Sequence, residues 1–400
     1  MVKPHAGIAE NKRIFALLVI SNFFVGGMVG MERAVLPLIA EQDFHIQSRT
    51  LILTFIIVFG ITKAVFNFFV GGFSEQWGRH RLLVLGWLIA LPIPVMLMVA
   101  PNWYWVLAAN ILLGISQALT WSMTVVMKVD VATPRQRGLV IGLNEFAGYG
   151  GVAVLAYVSA VVADAYGLRP YPFYLGIVLA VVGGILSLFI PDTRSPEVVQ
   201  SRSNTRAVSG LSRSFHLTSW KNKSLFAASF AGLATNFKDG MVWGLLPIFL
   251  SARHLSLEKI GAVVAAYPIA WSILQLGFGP LSDTVGRRRL IVPGMVLQGV
   301  GVAALLWAGG FWEFVGAAVG IGLGTAMVYP TLLALVSDVA EVTWRASALG
   351  IYRFWRDSGY ALGAFVSGFL ADVLNIEFSF LAVVVLCLAA AFLSGVFIDR

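Results

Sequence analysis

Apolar residues run in long blocks separated by short polar segments. The blocks lie at about 14–38, 51–72, 82–100, 104–128, 139–162, 172–190, 224–250, 258–280, 290–309, 313–337, 347–373 and 378–397. Roughly 20 apolar residues carry an α-helix across a bilayer core, so the pattern predicts an all-α membrane protein with about twelve transmembrane helices. An even number puts both termini on one side. The longest polar stretch, 191–223, holds Arg194, Arg202, Arg206, Arg213, Lys221 and Lys223, and it falls between the sixth and seventh blocks. The chain therefore divides into a six-helix bundle over 1–190, a linker over 191–223 with room for a short amphipathic helix, and a second six-helix bundle over 224–400.

Composition agrees with a membrane setting. Of the 400 residues 58% are hydrophobic and 12% charged, with a mean hydropathy of +0.83. Soluble proteins carry about 25% charged residues, so a large soluble protein is excluded. The first block is too long for a signal peptide and is expected to stay in the mature chain. The single cysteine, Cys387, offers no disulfide partner. His5, His45, His80, His216 and His254 read as loop or tail residues without metal-ligand spacing. No nucleophilic triad, phosphate loop or dinucleotide fingerprint stands out. The expectation is a protein without cofactor, metal or enzymatic chemistry, and not an ATP-driven pump within this chain.

Lysine and arginine placement sets orientation. One side holds Lys3, Lys12, Arg13, Arg79, Arg81, Lys128, Arg135, Arg137, the linker cations, Arg287, Arg288, Arg289, Arg345 and Arg400; the other holds only Arg49, Arg169, Arg253 and Lys259. The crowded side, with both termini, is expected to be cytoplasmic, in an inner membrane. Most of the net charge of +8 then faces anionic lipid and implies no nucleic-acid partner. Trp103, Tyr104, Trp105 and Trp312 fall near the opposite interface, as an aromatic belt does.

The two halves repeat at a constant offset. Asp130-Val131-Ala132 recurs 208 residues later as Asp338-Val339-Ala340. At the same offset Arg137 matches Arg345, Gly71 matches Gly279, Gly114 matches Gly322, and Gly142 matches Gly350. Six spans separate equivalent points, so the bundles share one topology. They are expected to be related by a pseudo-two-fold axis along the membrane normal.

The loop after the second block reads Gly71-Gly72-Phe73-Ser74-Glu75-Gln76-Trp77-Gly78-Arg79-His80-Arg81. The loop after the eighth reads Gly279-Pro280-Leu281-Ser282-Asp283-Thr284-Val285-Gly286-Arg287-Arg288-Arg289. Gly71 and Gly279 are suited to close helix approach, and Gly78 and Gly286 to a tight turn. Glu75 and Asp283 can pair with an arginine of a neighbouring loop, and Asp130 with Arg137 and Asp338 with Arg345 can complete a conformational latch. Both loops, each in the equivalent place of its half, resemble the cytoplasmic signature of the major facilitator superfamily. The resemblance covers the whole chain and is nearest to the drug and metabolite exporters of the proton-antiport type. Two positions depart from that group: Asn110 stands where it usually carries an arginine, and Gly148-Tyr149-Gly150-Gly151 replaces its Gly-Pro pair.

A charge near the bilayer centre costs at least a few kcal/mol, so intramembrane charges are candidates for function. They are Glu32 and Arg33 in the first span, Lys63 in the second, Asn144 and Glu145 in the fifth, Asn236, Lys238 and Asp239 in the seventh, and Arg353, Arg356 and Asp357 in the eleventh. Arg353 and Asp357 are helical neighbours able to pair, and Arg353 and Arg356 read as anion contacts or as structural partners of Glu145. The resemblance implies that the first, fourth, seventh and tenth spans surround the substrate, which favours Glu32, Arg33, Lys238 and Asp239. A carboxylate in a dry cavity can load and release a proton near neutral pH, so Asp239 and Glu32 lead as proton carriers, opposed by Arg33 and Lys238. Static pairing between helices is the competing reading. The runs Gly26-Gly27-Met28-Val29-Gly30 and Gly316, Gly320, Gly324 suit small-residue helix packing.

Together these features describe a monomeric secondary active transporter of a small organic compound. It would work by alternating access, as a proton-coupled exporter. An importer or facilitator of an organic or inorganic anion is the alternative within the class. A transporter-like sensor without flux is the alternative outside it.

Overall fold

The computed structural model describes residues 6–133, 136–194, 211–341 and 344–398. Its helices are α1 (Lys12–Arg33), α2 (Leu36–Gln42), α3 (Arg49–Trp77), α4 (Arg79–Ala90), α5 (Pro92–Val99), α6 (Trp103–Val131), α7 (Arg137–Tyr166), α8 (Tyr171–Leu188), α9 (Leu211–His216), α10 (Lys223–Ser251), α11 (Leu257–Val285), α12 (Arg287–Trp307), α13 (Phe311–Val339), α14 (Arg345–Val373) and α15 (Ile376–Phe397). Among the described residues no strand occurs.

Each expected span is present. Helix starts follow polar caps placed just before the apolar blocks. Ser48, Asn102, Asn222, Ser256 and Asn375 accept from backbone N–H groups in the first turns of α3, α6, α10, α11 and α15. Pro37 and Pro92 sit in the first turns of α2 and α5, so the first and third spans are each broken into two pieces. Among the described residues ten stretches are long and apolar enough to cross a membrane by length and composition. The two remaining long helices, α10 and α14, have 29 residues each and carry the intramembrane charges Lys238, Asp239, Arg353, Arg356 and Asp357.

The repeat is visible in the packing. A Cβ on Gly26 or Gly30 of α1 would collide with the carbonyls of Gly148 and Val152 in α7, and one on Gly151 would meet the Phe23 carbonyl. A Cβ on Gly359 or Gly363 of α14 would strike the carbonyls of Leu233 and Phe237 in α10. Position 359 is the repeat equivalent of 151. Likewise Gly114 abuts the Phe59 carbonyl of α3, and its equivalent Gly322 abuts the Tyr267 carbonyl of α11. The halves meet where α3 packs on α14 and α7 packs on α11.

Several expectations need correction. Gly316 and Gly320 have open space where a Cβ would be, and Gly279 would meet only Pro330 at 3.9 Å, so none of the three serves close packing; Gly324, against the Gly294 carbonyl, does. Gly78 and Gly286 hold φ of 92° and 100°, the turn geometry expected of them. Asp338 pairs with Arg287 at 3.0 Å and not with Arg345, which instead donates to the Ala340 carbonyl. Arg287 also holds Asp283 at 2.5 Å. In the first half the equivalent pair, Arg79 with Asp130, forms in the same place, and Thr193 donates to Asp130 at 2.6 Å. These latches therefore lie within each half. Each arginine opens a helix beside the end of α6 or α13, whereas Arg345 lies a few residues beyond the acid along the chain. The side chains of Glu75 and Arg137, Gly71, and linker residues 195–210 lie outside the described residues, as does His5. The described end of the linker is helical, α9 followed by a π-turn over Leu217–Lys221. His80 and His216 lie in helices and not in loops.

Candidate functional site

The hydrogen bonds that join the two halves between described residues lie at the midplane and at the end remote from the termini. At that end Ser48 and the backbone N–H groups of Arg49 and Thr50 donate to Asp372, and the Leu257 N–H donates to Asp164 at 3.0 Å. Near the midplane Asn67 donates to Asp357 at 3.0 Å, and Tyr149 and Tyr329 meet through their hydroxyls at 3.4 Å. Tyr149 of α7 also lies on Trp271 of α11, with ring centroids 3.5 Å apart. This aromatic cluster closes off a narrow cavity on its terminal side.

The cavity, about 50 Å³, is lined by Lys63, Asn67, Trp121, Glu145, Tyr149, Tyr329, Arg353 and Arg356 among others. Its lining thus draws on α3, α6, α7, α13 and α14. Small-molecule pockets are typically ~300–1,000 Å³, so in this arrangement the site is contracted to room for a few waters. Its charges are unevenly matched. Asp357 pairs with Arg356 at 2.7 Å, not with Arg353, and is also reached by Asn67 and Asn236. The guanidinium of Arg356 folds back along its own helix and rests over the Tyr329 ring, which brings adjacent side chains together. Arg353 and Lys63 are in no ion pair with a described residue. Lys63 instead faces the rings of Phe59, Trp121 and Tyr360. Glu145 is bound by Trp121 at 3.0 Å and Asn144 at 3.1 Å, not by either arginine, and its second oxygen has no partner among the described protein atoms.

Beyond the aromatic cluster lie Glu32 and Arg33 of α1 and Lys238 and Asp239 of α10, all fully buried. Lys238 pairs with Asp239 at 2.8 Å and donates to Tyr267 and Thr325, while the Tyr267 hydroxyl donates to Asp239 at 2.6 Å. Asp239 Oδ2 and Glu32 Oε1 have no partner among the described residues. Asn110 donates to the other Glu32 oxygen at 3.3 Å. Arg33 pairs with neither acid. All three of its guanidinium nitrogens lack a partner among the described residues, and the group is enclosed by the rings of Phe55, Phe59 and Trp243 at 5.7, 4.9 and 4.7 Å. Each desolvated cation–π contact contributes up to about 2 kcal/mol, which offsets part of the cost of an unpaired buried charge.

Sequence reasoning missed two features. Lys128, assigned to the cation-rich membrane edge, is wholly buried and donates to Asn144 Oδ1 at 2.6 Å; the Asn144 carbonyl in turn accepts from Asn22. Its position at the very end of an apolar block made it indistinguishable from an interfacial lysine. The aromatic residues Trp121, Tyr149, Tyr267, Trp271, Tyr329 and Tyr360 converge at the centre although they are scattered over five helices. No sequence signal marks them among the 50 phenylalanines, tyrosines and tryptophans of the chain.

The architecture matches a solved structure, that of a point mutant of the nucleoside transporter NupG, with a TM-score of 0.76 over 96% of this chain and 100% of that one, at 13% identity. In sequence, the quinolone resistance protein NorA of Staphylococcus aureus (strain MRSA252) is 28% identical over 152 residues, which is 38% of this chain and 39% of that protein. The match thus spans about two fifths of NorA's length. The multidrug resistance protein MdtG of Proteus mirabilis (strain HI4320) is 22% identical over 357 residues, 87% of each chain. The family profile of the Major Facilitator Superfamily matches residues 18–237 and again 225–400. With two six-span halves repeated at one offset and both halves matched by that profile, this chain is a multi-pass membrane transporter belonging to the Major Facilitator Superfamily.

Proposed function

We propose that the protein exports a small organic compound in exchange for protons, as a monomer in the inner membrane with both termini in the cytoplasm. The observation that carries this reading is the pair of buried carboxylates, Glu32 and Asp239, each with one oxygen lacking a partner among the described residues. An acid with a free, enclosed oxygen is a proton acceptor waiting for a proton or a ligand. Asn110, a neutral donor, leaves Glu32 without the direct cation that would hold it ionised. The names of NorA and MdtG, resistance proteins against quinolones and multiple drugs, favour outward movement of drug-like molecules.

Transport then follows from the two ends of the molecule. Asp372 and Asp164 tie the halves together on the outer side, and among the described residues no hydrogen bond joins them at the inner edge. Substrate enters the inner cavity, displaces the aromatic cluster of Tyr149, Trp271 and Tyr329, and reaches the Glu32–Asp239 region. The halves rock around this central site, the outer ties break, and the substrate leaves as a proton loads. The latches Arg79–Asp130 and Arg287–Asp338 stiffen each half so that it moves as a body.

Lys63 and Arg353 line the cavity outside any ion pair with a described residue, while Glu145 offers one free oxygen. That set favours an aromatic anion or zwitterion. It also supports a second reading, import or facilitated passage of an organic anion. Purified protein in liposomes with an internal pH dye separates the two. A panel of organic anions, cations and neutral drugs is tested for substrate-dependent proton movement, beside Asp239→Asn and Glu32→Gln. Coupled proton flux lost in either variant is the expected result. Substrate flux without proton flux in the parent sinks the antiport reading and leaves the facilitator. Binding without flux of any kind leaves a sensor.

A further inference from the structure

The second signature loop ends in three consecutive arginines, and only the first is spent on structure. Arg287 is held by Asp283 and Asp338. Arg288 and Arg289 are in no ion pair with a described residue. They line the mouth of a cleft of about 650 Å³ together with Val285, Gly286, Val292, Pro293 and Gly395. The cleft does not end there. Val292 and Pro293 also line a second, wholly apolar groove of about 510 Å³ that continues past Val296, Leu297 and Val300, with Met327 of α13 as its far wall. Val296 and Val300 are exposed. Gly395 on α15 faces Val292 across the mouth, where a Cβ would stand 3.8 Å from the valine.

The two spaces share Val292 and Pro293 as lining, and together they offer a doubly cationic head and an apolar tail. From Arg289 to Val300 the helix rises about 17 Å, close to one leaflet of a ~30 Å hydrocarbon core. The charge is at the membrane edge, where headgroups lie, and the apolar part runs inward along α12. We infer that this cleft is a binding site for one anionic phospholipid, with its phosphate between Arg288 and Arg289 and one acyl chain along α12 beside α13. Basic pockets between transmembrane helices attract acidic headgroups, and here the cations are left over because the latch uses only one of three. The site lies on the outer flank of the second half, away from the central cavity, and does not depend on the transport reading.

Native mass spectrometry of the purified full chain, released from micelles holding phosphatidylglycerol and phosphatidylcholine, tests it. The parent is expected to retain one phosphatidylglycerol at least about ten-fold over phosphatidylcholine, the preference that close contact of two cations supports. Arg288→Gln with Arg289→Gln should abolish the preference. Val296→Trp with Val300→Trp fills the groove, leaves both cations in place, and should also lose the lipid. Lys221→Gln with Lys223→Gln removes equal charge elsewhere and should change nothing. Equal retention of both lipids by the parent, or unchanged phosphatidylglycerol retention in the arginine variant, overturns the site. Retention that survives the tryptophan variant, or full displacement by soluble glycerol 3-phosphate, overturns the lipid and leaves a simple phosphate contact.

Discussion

Lys238 and Asp239 allow stability and transport to be separated experimentally. Their charges are 2.8 Å apart and fully buried. At an effective dielectric of ~20 the pair attracts by about 6 kcal/mol, and desolvation of both ions cancels much of this. Asp239→Asn leaves a buried ammonium with only the neutral Tyr267 and Thr325 oxygens. That should destabilise the fold by about 3–5 kcal/mol, as should Lys238→Met. The double variant Lys238→Met with Asp239→Leu removes both charges and should regain most of the loss. The two sites should thus couple by at least about 4 kcal/mol, because the double variant loses far less than the two single variants together. Denaturant unfolding in lipid–detergent micelles reads the stability of all four proteins, and liposome flux reads transport. The expected double variant is folded and inert. If either single variant lies within about 0.5 kcal/mol of the parent, or if the losses simply add, the pair is not structurally coupled as argued. If the folded double variant still couples protons to substrate, Asp239 is not a carrier and Glu32 alone remains.

Gly26→Val and Gly151→Val should each prevent α1 from seating on α7, because the new Cβ meets backbone carbonyl rather than a side chain. Loss of the monodisperse peak in size-exclusion chromatography checks this, with Gly316→Ala as a silent control. Arg287→Asp should free Asp338 and weaken the second-half latch, with partial recovery in Arg287→Asp/Asp338→Arg; Arg345→Ala, which loses only a bond to the Ala340 carbonyl, should lie within about 1 kcal/mol of the parent by unfolding. Arg33→Met should keep the fold, since methionine packs among Phe55, Phe59 and Trp243, yet abolish coupled flux; wild-type flux in that variant would assign Arg33 to packing alone.

Number, length and order of the spans were legible because a bilayer demands about twenty apolar residues wherever the chain crosses it, regardless of what the helix then touches. The 208-residue repeat was legible for the same one-dimensional reason, and it foretold the equivalent seats of Gly114 and Gly322. The intramembrane charges could be named because each is costly and conspicuous. Their partners could not. Asp357 takes Arg356 and reaches Asn67 on another helix in the other half, Arg33 takes three rings and no acid, and Lys128 turns inward. Such choices depend on how helices are rotated and how far apart they sit, and those follow from glycine contacts between residues more than a hundred positions apart. The order of residues determines where a charge enters the membrane; only the packed bundle determines which face it turns to and whether a carboxylate, an aromatic ring or nothing lies opposite.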